Sequence, residues 1–215
     1  MKNRIPILDA GHGGMIDGIY STGNKKRYLF INHDDYEVFE GIINREIGRK
    51  LADRLDESNI PFYSGNINDN NDMKLSLRTD KANKIYEKDN RTYFLSIHNN
   101  TATDSTVGEG TNAHGTEIWT SQGQTKSDEL VPFFYNTFPS FFPFRTYRKD
   151  WEGGDLDKES DFWVLRKTLC PSLLIEVGFF DNYNEVKELL TSNEGLERIV
   201  NWLFYSIKII YETDI

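Results

Sequence analysis

The chain has 215 residues, 38% of them hydrophobic and 13% aromatic, with a net charge of −9. That length suits one domain with a substantial core. The acidic balance excludes nucleic acid as the main partner, because phosphate binding needs a basic surface. One cysteine, Cys170, excludes an intramolecular disulfide framework and a multi-cysteine zinc site.

Taken in order, residues 1–6 show no apolar h-region and no cleavage site, so no signal peptide is expected. Residues 5–8 read as a short buried strand. It runs into Asp9-Ala10-Gly11-His12-Gly13-Gly14, where glycines let the backbone turn sharply at a histidine. Residues 15–36 are glycine-interrupted and hold the basic patch Lys25-Lys26-Arg27. A long loop is predicted here, with a small hairpin near residues 28–31. His33, between Asn32 and Asp34, reads as an exposed loop histidine. Glu40 opens a helical pattern. Ile43, Ile47, Leu51 and Leu55 recur every four residues, which leaves Arg45, Arg49, Lys50 and Asp53 for the wet face.

A strand over 59–63, a polar loop over 66–72 and a second helix from Leu75 through Ala82 and Ile85 follow. Residues 93–100 form the next predicted strand, which carries His98 near its end. Residues 101–112 read as loop and 115–120 as a short strand. Pro132, Pro139 and Pro143 are expected to break residues 128–144 into a packed, phenylalanine-rich irregular segment. Residues 147–161 read as loop and 162–166 as a short apolar segment. Cys170 beside Pro171 reads as a buried structural thiol. Residues 173–180 form a buried-type strand interrupted by one carboxylate, Glu176. Residues 184–190 and 194–211 read as closing helices. No run approaches membrane-spanning length. Strands alternating with helices predict an α/β fold: one domain over residues 1–215, with a mixed, mostly parallel sheet and helices on both faces.

Four residues stand out by position. His12 and His98 each close an apolar strand, Glu40 precedes an amphipathic helix, and Glu176 interrupts an apolar run. Two histidines and a carboxylate from separate elements suit a zinc site with an open fourth position for water. A second carboxylate nearby suits a general base that later protonates the leaving amine. Glu176 fits that task, since a carboxylate is costly to bury in an apolar strand without a reason. Glu40 also reads as a helix-start carboxylate favoured by the helix dipole, and Glu37 and Glu46 compete with it as ligands.

These residues resemble the zinc-dependent N-acetylmuramoyl-L-alanine amidases of the amidase type 3 family. Asp9-Ala10-Gly11-His12-Gly13-Gly14 is similar to the family's opening metal motif, with Ala10 where proline is common. Glu40 through Asn44 into Leu51 resembles its metal-binding glutamate and following helix. Leu77-Arg78 with Ala82-Asn83 resembles its second helix. Ser96-Ile97-His98-Asn99-Asn100 is similar to the motif that supplies the other histidine, and Gly115-Thr116-Glu117 matches a following strand. Val164-Leu165-Arg166 with residues 171–182 resembles the closing motif that carries the catalytic glutamate. The resemblance implies Zn2+ on His12, Glu40 and His98, with Glu176 as the catalytic group. It also implies peptidoglycan as substrate, cut between N-acetylmuramic acid and L-alanine. Asn100 and Arg166 are candidate substrate contacts, and Trp119, Trp151 and Trp163 candidate groove residues. A zinc peptidase or deacylase acting on another amide, and a catalytically silent wall-binding module, are the competing readings. With no signal peptide expected, a monomeric phage lysis enzyme that reaches the wall through a holin fits, as does an exported bacterial enzyme. The departures from the family lie in the 15–36 insert and the 133–144 aromatic stretch.

Overall fold

The computed structural model describes residues 3–151 and 153–213. The expectations that reach Met1, Lys2, Glu152, Asp214 and Ile215 lie outside those residues. Strands β1 (Ile5–Ala10), β7 (Thr92–Asn100) and β11 (Ser172–Phe179) form the middle of a sheet, with β6 (Tyr63–Ser64) at one edge; β9 (Glu117–Thr120) and β10 (Lys158–Glu159) complete the other side. The order is β10-β9-β11-β7-β1-β6. All neighbours are parallel except β9 and β11, which run antiparallel.

Alternation along the strands sorts the core into two faces. Leu8, Leu95, Ile97, Leu173 and Ile175 pack with α1 (Glu40–Glu57), α3 (Val131–Phe141) and α6 (Asn193–Glu212). Ile7, Phe94 and Leu174 face the other way. They pack with Ala82 of α2 (Leu75–Lys88) and with Val164 and Leu165 of α4 (Trp163–Lys167). The mixed, mostly parallel sheet with helices on both faces is thus present as expected from the sequence.

Local structure departs from that expectation in several places. The 15–36 stretch is built, not loose. It holds a small hairpin, β2 (Met15–Ile16) and β3 (Ile19–Tyr20), and then β4 (Arg27–Phe30), which pairs antiparallel with β5 (Tyr36–Phe39) in a hairpin where the sequence led one to expect it. Strand β4 also pairs with β8 (Val107–Gly108), inside the stretch read as loop. Residues 131–141 form a helix despite their prolines. Pro132 lies in the first turn, where the missing N–H had no intrahelical partner anyway, and Pro139 lies in the last turn. Phe134 and Phe138 of this helix close on Trp202 of α6, whose indole N–H donates to the Phe134 carbonyl at 2.9 Å. Of residues 59–63 only Tyr63 is in a strand, because Asn59 takes a left-handed turn (φ 55°) right after α1. After β11 comes a short helical turn, α5 (Tyr183–Glu185), continued by a wider π-type turn at Val186–Leu190. No described helix is long and apolar enough to cross a membrane.

Candidate metal centre and active site

The centre lies at the carboxyl ends of β1, β7 and β11, where open α/β sheets place their ligands. Ala10 pairs with Ile97 in register, so Gly11 follows beside His98, and the Gly11 N–H donates to the Ile97 carbonyl at 2.9 Å. His98 pairs with Glu176 on β11, and Glu176 pairs with Glu117 on β9. Gly11, His98, Glu176 and Glu117 therefore form one row across the sheet, on the face covered lower down by α2 and α4. A side chain at Gly11 would run into the His98 ring, so glycine there makes room for the imidazole.

His12 follows in a left-handed conformation (φ 62°), which is uncommon for a residue with a side chain. Two buried arginines hold that turn through its backbone oxygens. Arg45 donates to the carbonyls of Gly11 (3.2 Å), His12 (2.5 Å) and Gly41 (3.0 Å). Arg78 donates to the carbonyls of Ala10 and His12, both at 3.2 Å, and pairs with the buried Asp9 carboxylate at 3.4 Å. Asp9 also accepts from the Ser96 hydroxyl at 2.6 Å. Arg45 corrects the sequence reading, which gave it the wet face of α1. It is only 1% exposed, because Gly41, Gly48 and Ala52 line its flank of the helix and let neighbouring chain close over it. That row of small residues was the sequence signal.

Glu40 enters the centre from the first turn of α1. This helix start has no side-chain cap. Instead the Glu40 N–H donates to the Lys26 carbonyl at 2.9 Å and the Gly41 N–H to the Tyr20 hydroxyl at 3.0 Å, so the 15–36 insert serves as the cap. Glu40 Oε1 faces His98 Nδ1 at 3.0 Å and accepts from the Asn99 N–H (3.2 Å) and Asn44 Nδ2 (3.3 Å). Asn44 is itself held by Asn99 at 2.7 Å. Glu40 Oε2 lies 3.2 Å from His12 Nε2 and, though buried, has no hydrogen-bond partner among the described residues.

Among the described residues, His12, Glu40 and His98 bring three metal-ligand atoms within 4.8 Å of one another. The charge states suit a metal, which needs neutral imidazole and ionised carboxylate. Burial would raise the Glu40 carboxyl, but His12 and His98 beside it hold it well below the usual range. Burial pushes the His98 imidazole down against the pull of Glu40. The donor set and the orphaned Oε2 fit a zinc ion. Glu176, next to His98, behaves differently. Burial and the nearby Glu40 carboxylate push its carboxyl well above the usual range, with Lys26 opposing and Glu117 adding to the rise. Its buried Oε2 has no hydrogen-bond partner among the described residues.

The other sequence candidates lie elsewhere. Glu46 is exposed, and Glu37 pairs with Arg27 at 3.0 Å on the β4–β5 hairpin. His33 stacks on Tyr183 with ring centroids 3.4 Å apart. Asn100 closes β7 two residues beyond His98, on the same face, and its side chain accepts from the Thr101 N–H at 2.8 Å. Arg166 pairs with Asp161 at 3.0 Å and lies over the Trp163 ring, so the structure does not bring it to the four central residues.

Comparison with known proteins identifies the family and the fold. The sequence profile of the N-acetylmuramoyl-L-alanine amidase family, Amidase_3, matches residues 7–208. The chain belongs to this family. No curated protein matches it. Solved structures show the same fold over nearly the whole of this family member. An N-acetylmuramoyl-L-alanine amidase from Clostridium difficile 630 superposes with a TM-score of 0.72 at 22% identity, covering 97% of each chain. The CwlD amidase from Clostridioides difficile, solved in complex with the GerS lipoprotein, gives 0.72 at 24% identity, with 99% of this chain and 100% of that one covered. The catalytic domain of the CD27L endolysin, which targets the same species, gives 0.62 at 14%, covering 96% and 97%.

Proposed function

We propose that this family member is a single catalytic domain that uses zinc to hydrolyse the amide between N-acetylmuramic acid and L-alanine in peptidoglycan. The observation that carries the proposal is the convergence of His12, Glu40 and His98 at the strand ends, with Glu176 next in the same row. His12, Glu40 and His98 would hold the ion, which when bound lowers the pKa of water and polarises a carbonyl. Asn99 and Asn44 fix the Glu40 carboxylate through Oε1 and leave Oε2 turned to the site. Glu176 takes the proton from the attacking water as the oxygen–carbon bond forms. It gives that proton to the nitrogen as the carbon–nitrogen bond breaks.

Asn100 supplies a polar contact to the substrate near the scissile bond. Trp119 packs on Phe162, on the sheet face that bears Glu176, with ring centroids 5.4 Å apart. We assign that strip, with Trp163 and Arg166 behind it, to sugar and peptide groups further out.

Protein purified without added metal should contain about one zinc per chain, as a site with three protein ligands implies. H12A and H98A should both lose it. Digested peptidoglycan should show new L-alanine amino termini and no new reducing ends. Reducing ends without amino termini would sink the proposal.

A further inference from the structure

The basic patch Lys25-Lys26-Arg27 has no part in the function described so far. Its middle member has an unusual place. Lys26 is held in a left-handed conformation (φ 58°), and its carbonyl accepts from the Glu40 N–H at 2.9 Å and the Tyr20 hydroxyl at 3.3 Å. The lysine backbone is thus fixed to the amide of a central carboxylate residue. Its ammonium lies 3.8 Å from Glu40 Oε2, the oxygen turned towards His12. Arg27, by contrast, is engaged with Glu37 on the hairpin.

We propose that Lys26 is a further catalytic residue, whose ammonium donates to the scissile carbonyl oxygen as that oxygen gains negative charge. The proposal rests on the amidase reading above. Three features carry it. Glu40 does not need the lysine for its charge, because two imidazoles and two amide donors already face it. A separation of 3.8 Å is too long for a hydrogen bond, so the ammonium is not committed to Glu40. The side chain is 41% exposed, so its head can move to a substrate oxygen while its backbone stays fixed.

The chemistry balances without moving a proton from the lysine. Water oxygen bonds to the carbonyl carbon, the carbonyl π pair moves onto oxygen, and Glu176 takes the water proton. Collapse returns the pair, breaks the carbon–nitrogen bond and delivers the proton to nitrogen. Lys26 stays charged throughout, and its bond is strongest in the tetrahedral state, the condition for raising turnover.

The test compares K26M and K26R with the wild type. It reads zinc content, thermal midpoint, turnover of a muramyl-L-alanyl peptide and binding of a tetrahedral phosphinate analogue. K26M should keep its zinc and its midpoint while kcat falls about a hundred- to a thousand-fold, the usual loss for one oxyanion donor. KM should barely change, and the analogue should bind more weakly by a similar factor. K26R keeps the cation and should recover at least part of both. If methionine at this left-handed position costs the fold, K26R against K26Q makes the same comparison. Near-wild-type turnover in K26M overturns the proposal. So does loss of zinc, which would make Lys26 a support for the metal ligands. A wild-type protein that releases no amino termini overturns the amidase reading and the proposal with it.

Discussion

Glu176 is the residue on which the proposed chemistry depends most. A carboxylate inside the apolar run Leu173-Leu174-Ile175 is disfavoured unless its surroundings use it. The structure sets it beside His98 with an unpartnered buried oxygen. E176Q keeps the shape and removes the proposed base. It is expected to fold and hold zinc, with release of amino termini falling about a hundred- to ten-thousand-fold, the range for a general base. Elemental analysis beside the activity assay checks both halves. Zinc loss would make Glu176 a ligand, and near-normal activity would move the base elsewhere. His33 provides the control: stacked on Tyr183, it should be replaceable by alanine with no change in metal content.

At the scale of elements, the turn that carries His12 is the demanding one. A left-handed residue with a side chain costs on the order of 1–2 kcal/mol, and the carbonyls around it are held by Arg45 and Arg78. Arg78 also balances Asp9, which is only 1% exposed. R78M should therefore lower stability by about 3–5 kcal/mol, the cost of leaving a buried charge alone, and should weaken zinc binding. Urea unfolding with a zinc titration would show it; an unchanged midpoint would mean that Asp9 is satisfied without the arginine.

The sequence exposed the frame of this site but not its support. The stripe Ile43, Ile47, Leu51 and Leu55 announces α1, and strand runs that end at His12 and His98 announce two residues of the possible metal site. Arg45 was misplaced because periodicity ranks a charge as wet, and only the small residues around it hint that chain covers it. Two-residue strands such as β8 and β10 have no period to read. The helix at residues 131–141 was hidden because proline is a breaker in the middle of a helix but is tolerated in its first turn.

At the scale of the whole molecule, the sheet separates two cores of unequal depth. Cys170 belongs to the smaller one, with Ile7, Phe94 and Leu174. Burial pushes its thiol up to about 12, so the reactive thiolate is scarce at any pH below that value. Alkylation at pH 8 should be slow in the native protein and fast in denaturant. Immediate labelling without unfolding would show that this layer opens on its own.

The sheet's strand order has a consequence for how the protein is made. Of the described strands β11 comes last in the chain, yet it lies inside the sheet, between β7 and β9. Its neighbours come from chain made long before, so the central pairing waits on closure of long loops, which slows folding. An unfinished chain on the ribosome can offer His12, Glu40 and His98, but neither Glu176 nor the strand that sets it beside them. On the proposed reading, a chain that stops short of residue 176 carries the three ligand residues without the base, and such a fragment is expected to have no hydrolytic activity.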